Sequence, residues 1–225
     1  MTNLYLVLLG SALFAASMLF SNKILQNRWN MSYERQPLIF GLMYTFVAIG
    51  ALYQAVRYGA FVISATGIAV VAGSIVIYVL FGELWVKRVP AGDHRQRFKI
   101  PQSSQIDFQF NAAGQVVKVI EICLQQACAL LVVTGLFSLN GDLLWVTVVF
   151  VGIVFTVHVP SPKFFGPVFG YFFLVSSVGA ALMYPWLISV SVNGFAYMVA
   201  LHTLVYVYWY SYLINRLHFN KKARE

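Results

Sequence analysis

The stretch VKVIEICLQQACALLV, residues 117–132, poses the central question of this chain, because it places Glu121, Gln125 and Gln126 inside what otherwise reads as a membrane-spanning helix. Its surroundings are of the same kind. The 225 residues are 60% hydrophobic and 10% charged, with a mean hydropathy of +0.76. Such a chain cannot fold around one water-excluded core beneath a polar skin.

A bilayer core of about 30 Å needs about 20 apolar residues in a helix. Seven stretches meet that length approximately: 4–20, 38–56, 60–82, 119–137, 143–159, 164–188 and 192–214. These runs lack the alternation of a lipid-facing barrel strand, so helices are the expected spanning form. The first run is expected to be a retained span, since MTNLY carries no Lys or Arg where a secretory leader is basic.

Fifteen Lys and Arg stand against seven Asp and Glu. With seven spans the surplus falls almost wholly on one side. Lys23, Arg28 and Arg35 follow the first span, and Lys87, Arg88, Arg95, Arg97, Lys99 and Lys118 lie between the third and fourth. Lys163 lies between the fifth and sixth, Arg216, Lys221, Lys222 and Arg224 follow the seventh, and Arg57 alone is on the other side. The positive-inside rule then puts the N-terminus outside and the C-terminus in the cytoplasm, and an even number of spans would spoil the asymmetry. A nucleic-acid partner is not expected, because no soluble domain carries the charge. The lipid bilayer is the expected partner, with some of these cations at anionic headgroups. The fold expected is an all-α polytopic bundle forming one transmembrane domain over 1–225, in a cell membrane, the inner one if the source is bacterial.

The soluble segment of consequence is a cytoplasmic loop, 86–118. Its first half, KRVPAGDHRQRFKIP, is basic and turn-rich, while QIDFQFNAAGQVVKVI alternates apolar and polar residues about Asn-Ala-Ala-Gly, a β-hairpin pattern. Two readings compete. Either 115–120 is a strand and Glu121 sits at the membrane boundary, or a helix begins near Asn111 as its N-cap and Glu121 is a few turns in.

Small residues at four-residue spacing mark close helix approach: Ala65, Ala69 and Gly73, then Gly166 and Gly170, then Ala196 and Ala200. Contacts within the bundle are the expectation for them, with a homo-oligomer or a partner in a membrane complex as the alternative. Tyr184, Trp186 and Trp85 are expected as interfacial anchors.

Polar groups inside the membrane are costly and become the candidate site. Glu121, Gln125 and Cys128 share one helical face at i, i+4 and i+7, and His202, Tyr206 and Tyr210 repeat the pattern in the last span. The plainer alternative makes Glu121 a boundary carboxylate paired with Lys118 at i−3. His158 stands near the cytoplasmic end of the fifth span. Cys123 and Cys128, five apart, fit neither a metal pair nor a bridge and read as small buried hydrophobes. His158 and His202 sit at different depths, which suits haem poorly. No phosphate loop, zinc helix or nucleophile elbow occurs, and neither a cofactor nor a metal is expected.

Taken in chain order, Glu121, His158 and His202 resemble the CAAX-protease and bacteriocin-processing family of glutamic intramembrane peptidases, in which a Glu-Glu-x-x-x-Arg helix, a Phe-x-x-x-His helix and a His-x-x-x-Asn helix gather around a water. The resemblance runs from about Val117 to Tyr210. It departs at Ile122 for the second glutamate, Gln126 for the arginine, Val154 for the phenylalanine and Tyr206 for the asparagine. It implies Glu121 as the general base on water, with His158 and His202 orienting the water and the oxyanion, or an inactive relative of such an enzyme. Read without it, Glu121, Gln125, His202 and Tyr206 would bind or conduct a small solute, ion or lipid. A structural or sensory subunit without chemistry of its own is the third class.

Overall fold

The computed structural model describes residues 2–31, 36–58, 62, 64–86, 112–165 and 167–222, with side chains left undescribed at 2–3, 22–23, 26–27, 82–86, 164–165, 167–169 and 209–222. Within those residues every regular element is helical. The order is α1 (Thr2–Leu19) continuing into a π-helical segment (Phe20–Arg28), then α2 (Pro37–Arg57), α3 (Ala65–Val86), α4 (Ala112–Leu139) and α5 (Leu143–His158). The short α6 (Ser161–Phe165), α7 (Pro167–Val190) and α8 (Gly194–Lys222) complete it. Four helical stretches, Pro37–Arg57, Ala112–Leu139, Leu143–Lys163 and Gly170–Val190, are long and apolar enough to cross a membrane. Three shorter apolar stretches, Leu4–Leu19, Ala65–Phe81 and Gly194–Tyr208, accompany them.

The competition around Glu121 is decided for the helix. α4 begins at Ala112, so residues 115–120, the second arm of the expected hairpin, are helical, and the expected loop ends at least six residues before 118. The first arm lies outside the described residues. Glu121 is nine residues into α4, about 13 Å along its axis.

α4 is the central helix. It buries Val117, Val119, Ile122, Ala127, Val132 and Leu136, positions that together point in all directions around it, and a helix enclosed on every side has no polar face to display. α1 crosses it antiparallel and very closely. A Cβ on Gly10 would stand 2.7 Å from the carbonyl oxygen of Cys128, so only glycine lets the two backbones meet there. α2 runs parallel to α4, with Gly41 over Val117 and Ile120 and Ala51 and Ala55 packed in one cluster with Ile122, Ala127 and Leu131. Beside it, the Tyr44 hydroxyl donates to Ser21 Oγ at 2.7 Å, tying α2 to the buried side of the π-helical segment.

The turn from α4 to α5 is set by Asp142, whose extended backbone and side chain cap α5 by accepting from Trp145 N at 2.6 Å. α5 and α7 pair on the far side of α4, where Val146, Phe150, Ala181 and Tyr184 share a cluster with Val133 and Met198. α7 and α8 form a tight hairpin. A Cβ on Gly194 would meet the Leu187 carbonyl oxygen at 2.6 Å. α3 and α8 run parallel in constant register: the Ser64 hydroxyl bonds the Asn193 side chain, and Gly67 lies against Ala196.

The small-residue rows divide. Ala196 is buried against α3, and Gly170 packs so closely on Pro162 that an added Cβ would lie 2.1 Å from its Cα. Ala65 and Ala69 are exposed, and a Cβ on Gly73 would meet nothing within 4 Å, so the first row faces outward and the contact with α8 is made at Gly67. Trp186 is exposed, whereas Tyr184 points inward. The side chains of Trp85 and Tyr210, and residue Gly166, lie outside the described residues.

Candidate functional site in the interior of the bundle

Because α4 starts so early, Lys118 enters the bundle with Glu121. The pairing expected at the boundary and the burial expected in the interior therefore occur together. Glu121 is 3% exposed. Its Oε1 accepts from Lys118 Nζ at 3.0 Å and from Gln125 Nε2 at 2.9 Å, the i−3 and i+4 neighbours that a helix brings alongside. Removing two charges from water is expensive, and the pair is tolerable there because each charge faces the other and the amide takes up a further lone pair.

The two polar stripes meet, through different members than their spacing indicates. Lys118 Nζ sits 4.7 Å from the centre of the Tyr206 ring, above its face, an arrangement in which the ring quadrupole attracts the cation. Tyr206 stacks on His202, with ring centres 5.2 Å apart and planes at 24°. His202 Nδ1 is hydrogen-bonded to Gln126 Nε2. An amide nitrogen only donates, so with the amide in this orientation Nδ1 accepts and the ring proton is on Nε2. The result is a continuous file from Gln125 through Glu121, Lys118, Tyr206 and His202 to Gln126. Phe173 of α7 packs on Tyr206 at 6.1 Å between ring centres, and the Tyr184 side chain lies beside the Gln126 amide. Tyr78 of α3, buried, is close enough to Lys118 to be felt electrostatically.

Cys128 does not join this file. It is buried in the cluster formed with Phe40, Tyr44, Val117 and Leu124, on the side of α4 that faces α1 and α2. His158 ends α5 with Nδ1 against the Val154 carbonyl oxygen at 2.9 Å, within electrostatic reach of His202. Among the described residues no three His, Cys, Asp or Glu side chains come together as metal ligands.

Sequence reasoning places Glu121, Gln125, His202 and Tyr206 in the interior, pairs Lys118 with Glu121 only at the membrane boundary, and misses the part taken by Gln126, Tyr184 and Tyr78. Lys118 was legible as the neighbour of Glu121. Gln126 lies one residue off the Glu121 face and becomes significant only because a second neighbour, α8, occupies that side. The Gln126 Oε1 atom is buried without a hydrogen-bond partner, which leaves one acceptor of the file unfilled.

The chain matches no protein-family model, no curated protein and no solved structure.

Proposed function

We propose that this is a multi-pass protein of a cell membrane, crossing it seven times with its N-terminus outside, and that it binds or conducts a small solute or ion at the buried polar file of α4 and α8. The observation that carries this reading is the Lys118–Glu121 pair inside the most enclosed helix of the bundle. Ionisable side chains at such depth are costly and mark ligand or ion paths in membrane proteins. Gln126 Oε1 supplies an unfilled acceptor at the other end of the same file.

The test is flux of protons, potassium and chloride across vesicles holding the purified protein. Glu121→Gln and His202→Leu should each reduce the flux of one of these ions by at least about tenfold, the loss that follows from about 1.4 kcal/mol of removed interaction. Ala69→Leu, on the outward face, should leave it unchanged. Equal flux in all four proteins, or flux no greater than in empty vesicles, overturns the reading.

The second reading, an intramembrane glutamic peptidase or its inactive relative, is favoured by one observation, the proximity of His158 to His202, the partner of Gln126. It requires that a water be shared by Glu121 and the histidines. Cleavage of a membrane-anchored peptide that disappears in both Glu121→Gln and His158→Ala would establish it.

A further inference from the structure

Within the polar file, the contact between Gln126 and His202 is only half satisfied. The amide Nε2 donates to His202 Nδ1, while the amide Oε1, on a side chain 2% exposed, has no hydrogen-bond partner. A buried acceptor left unfilled is costly. A carboxamide is nearly symmetric in shape, so turning it over about its last torsion exchanges oxygen and nitrogen with little change in packing. Oε1 then faces Nδ1, which must carry a proton to meet it. The nitrogen leaves Nδ1, and the Tyr184 side chain already lies beside the amide to offer it an oxygen.

We propose, resting on the reading of the file as an ion site, that the ion is a proton, seated on Nδ1 of His202 and received by turning over the Gln126 amide. Potassium needs several oxygen ligands at once, and the Glu121 carboxylate is already engaged by Lys118 and Gln125. Chloride needs donors, and Lys118 Nζ is held between Glu121 and the Tyr206 ring while Gln126 Nε2 is held by His202. A proton needs one lone pair and, once bound, one acceptor for the new N–H. Nδ1 has the first and the turned Oε1 supplies the second, in a charge-assisted bond about twice as strong as the neutral one it replaces.

The step is an uptake from water: the proton joins the Nδ1 lone pair, Nε2 keeps its own, and no other bond of the ring changes. The ring is not sealed off, being partly exposed and within electrostatic reach of His158 at the end of α5. The imidazolium formed is stacked on Tyr206, whose face favours a cation. The titratable groups around it are Lys118 and Glu121 of α4, His158 of α5, Tyr184 of α7 and Tyr206 of α8, with Tyr78 of α3 beside Lys118. Lys118 repels a second positive charge and Glu121 attracts it, so their pair sets how readily the seat fills.

The test is nitrogen-15 magnetic resonance of the full chain in lipid nanodiscs, labelled at the histidine rings and titrated from about pH 9 to about pH 4, either side of the ordinary histidine range. The His202 signals are those lost in His202→Leu. At the alkaline end Nε2 should carry the proton and Nδ1 should be bare, and on acidification Nδ1 should gain one. Gln126→Met, which keeps the length and removes both polar amide atoms, decides whether the amide turns. If it turns, the variant loses the stronger, charged bond, and the proton affinity of His202 falls by about fivefold. If it stays fixed, its N–H groups oppose a protonated Nδ1, and their removal raises the affinity. A rise, or no change, therefore overturns the proposal, and thermal melting of both variants shows that they fold. A ring that stays neutral to the acid end overturns it too, as does a neutral ring with its proton on Nδ1, since the amide would then already stand turned over. The spectra require no flux, so a neutral His202 in a protein that carries potassium or chloride refutes the proton alone and leaves the ion site standing.

Discussion

Glu121 is the residue whose surroundings matter most, and they explain how a carboxylate is kept inside an apolar helix. Lys118, one turn earlier, supplies the opposite charge, Gln125, one turn later, a donor, and Tyr206 an aromatic face for the cation. Lys118 and Gln125 need only the helix itself, so their bonds to Glu121 form whenever α4 forms. Breaking the pair from one side is expected to cost far more than removing it whole. Lys118→Met should destabilise the protein by about 3–5 kcal/mol, because Glu121 is then buried uncompensated, whereas Lys118→Met with Glu121→Leu should lose much less. Thermal unfolding in detergent of the single and double variants checks this, and a double variant no better than the single would show that the pair is not coupled.

Helix contacts obey a different logic, since lipid tails are as apolar as leucine and close backbone approach replaces the hydrophobic drive. Gly10 is the tightest such point. Gly10→Leu should force α1 off α4 at Cys128, lowering stability by about 1–3 kcal/mol as an overpacked contact does, measurable as a fall in melting temperature. Ala69 makes the contrasting case, because its small-residue row faces outward and α8 meets α3 at Gly67 instead. Ala69→Leu should therefore leave the melting temperature unchanged. A drop comparable to that of Gly10→Leu would place a partner on α3.

The molecule as a whole is a set of helices around α4, with α1 antiparallel to it, α2 parallel, and α3 and α8 parallel to each other. These directions are those of a chain crossing a layer back and forth with each long helix in turn. Together with the one-sided Lys and Arg they predict which ends share a side. In a background with Cys123 and Cys128 replaced by alanine, a single cysteine at Arg57 or Asn140 should react in intact cells with a thiol reagent that cannot cross the membrane. One at Gln102 or Lys222 should not. The reverse pattern would invert the orientation, and labelling of Arg57 without Asn140 would change the number of crossings.

The apolar runs, their helical form and most of their ends were legible in the sequence, because hydropathy is a property of a few consecutive residues. So was the Lys118–Glu121–Gln125 group, whose spacing is that of one helix turn. The start of α4 was not, since 115–120 alternates well enough for a strand, and the helix prevails there because Val117 and Val119 both find buried partners, which a strand facing solvent could not give them. Tertiary structure alone decided that α4 is central, that Gln126 meets His202, that Tyr184 turns inward, and that Cys128 and Ala69 stand apart from the contacts their spacing implies. The reason is physical: a helix apolar on every side carries no amphipathic mark of which face a neighbour will cover, so the pairing of helices is settled by the shapes that meet when all of them pack at once.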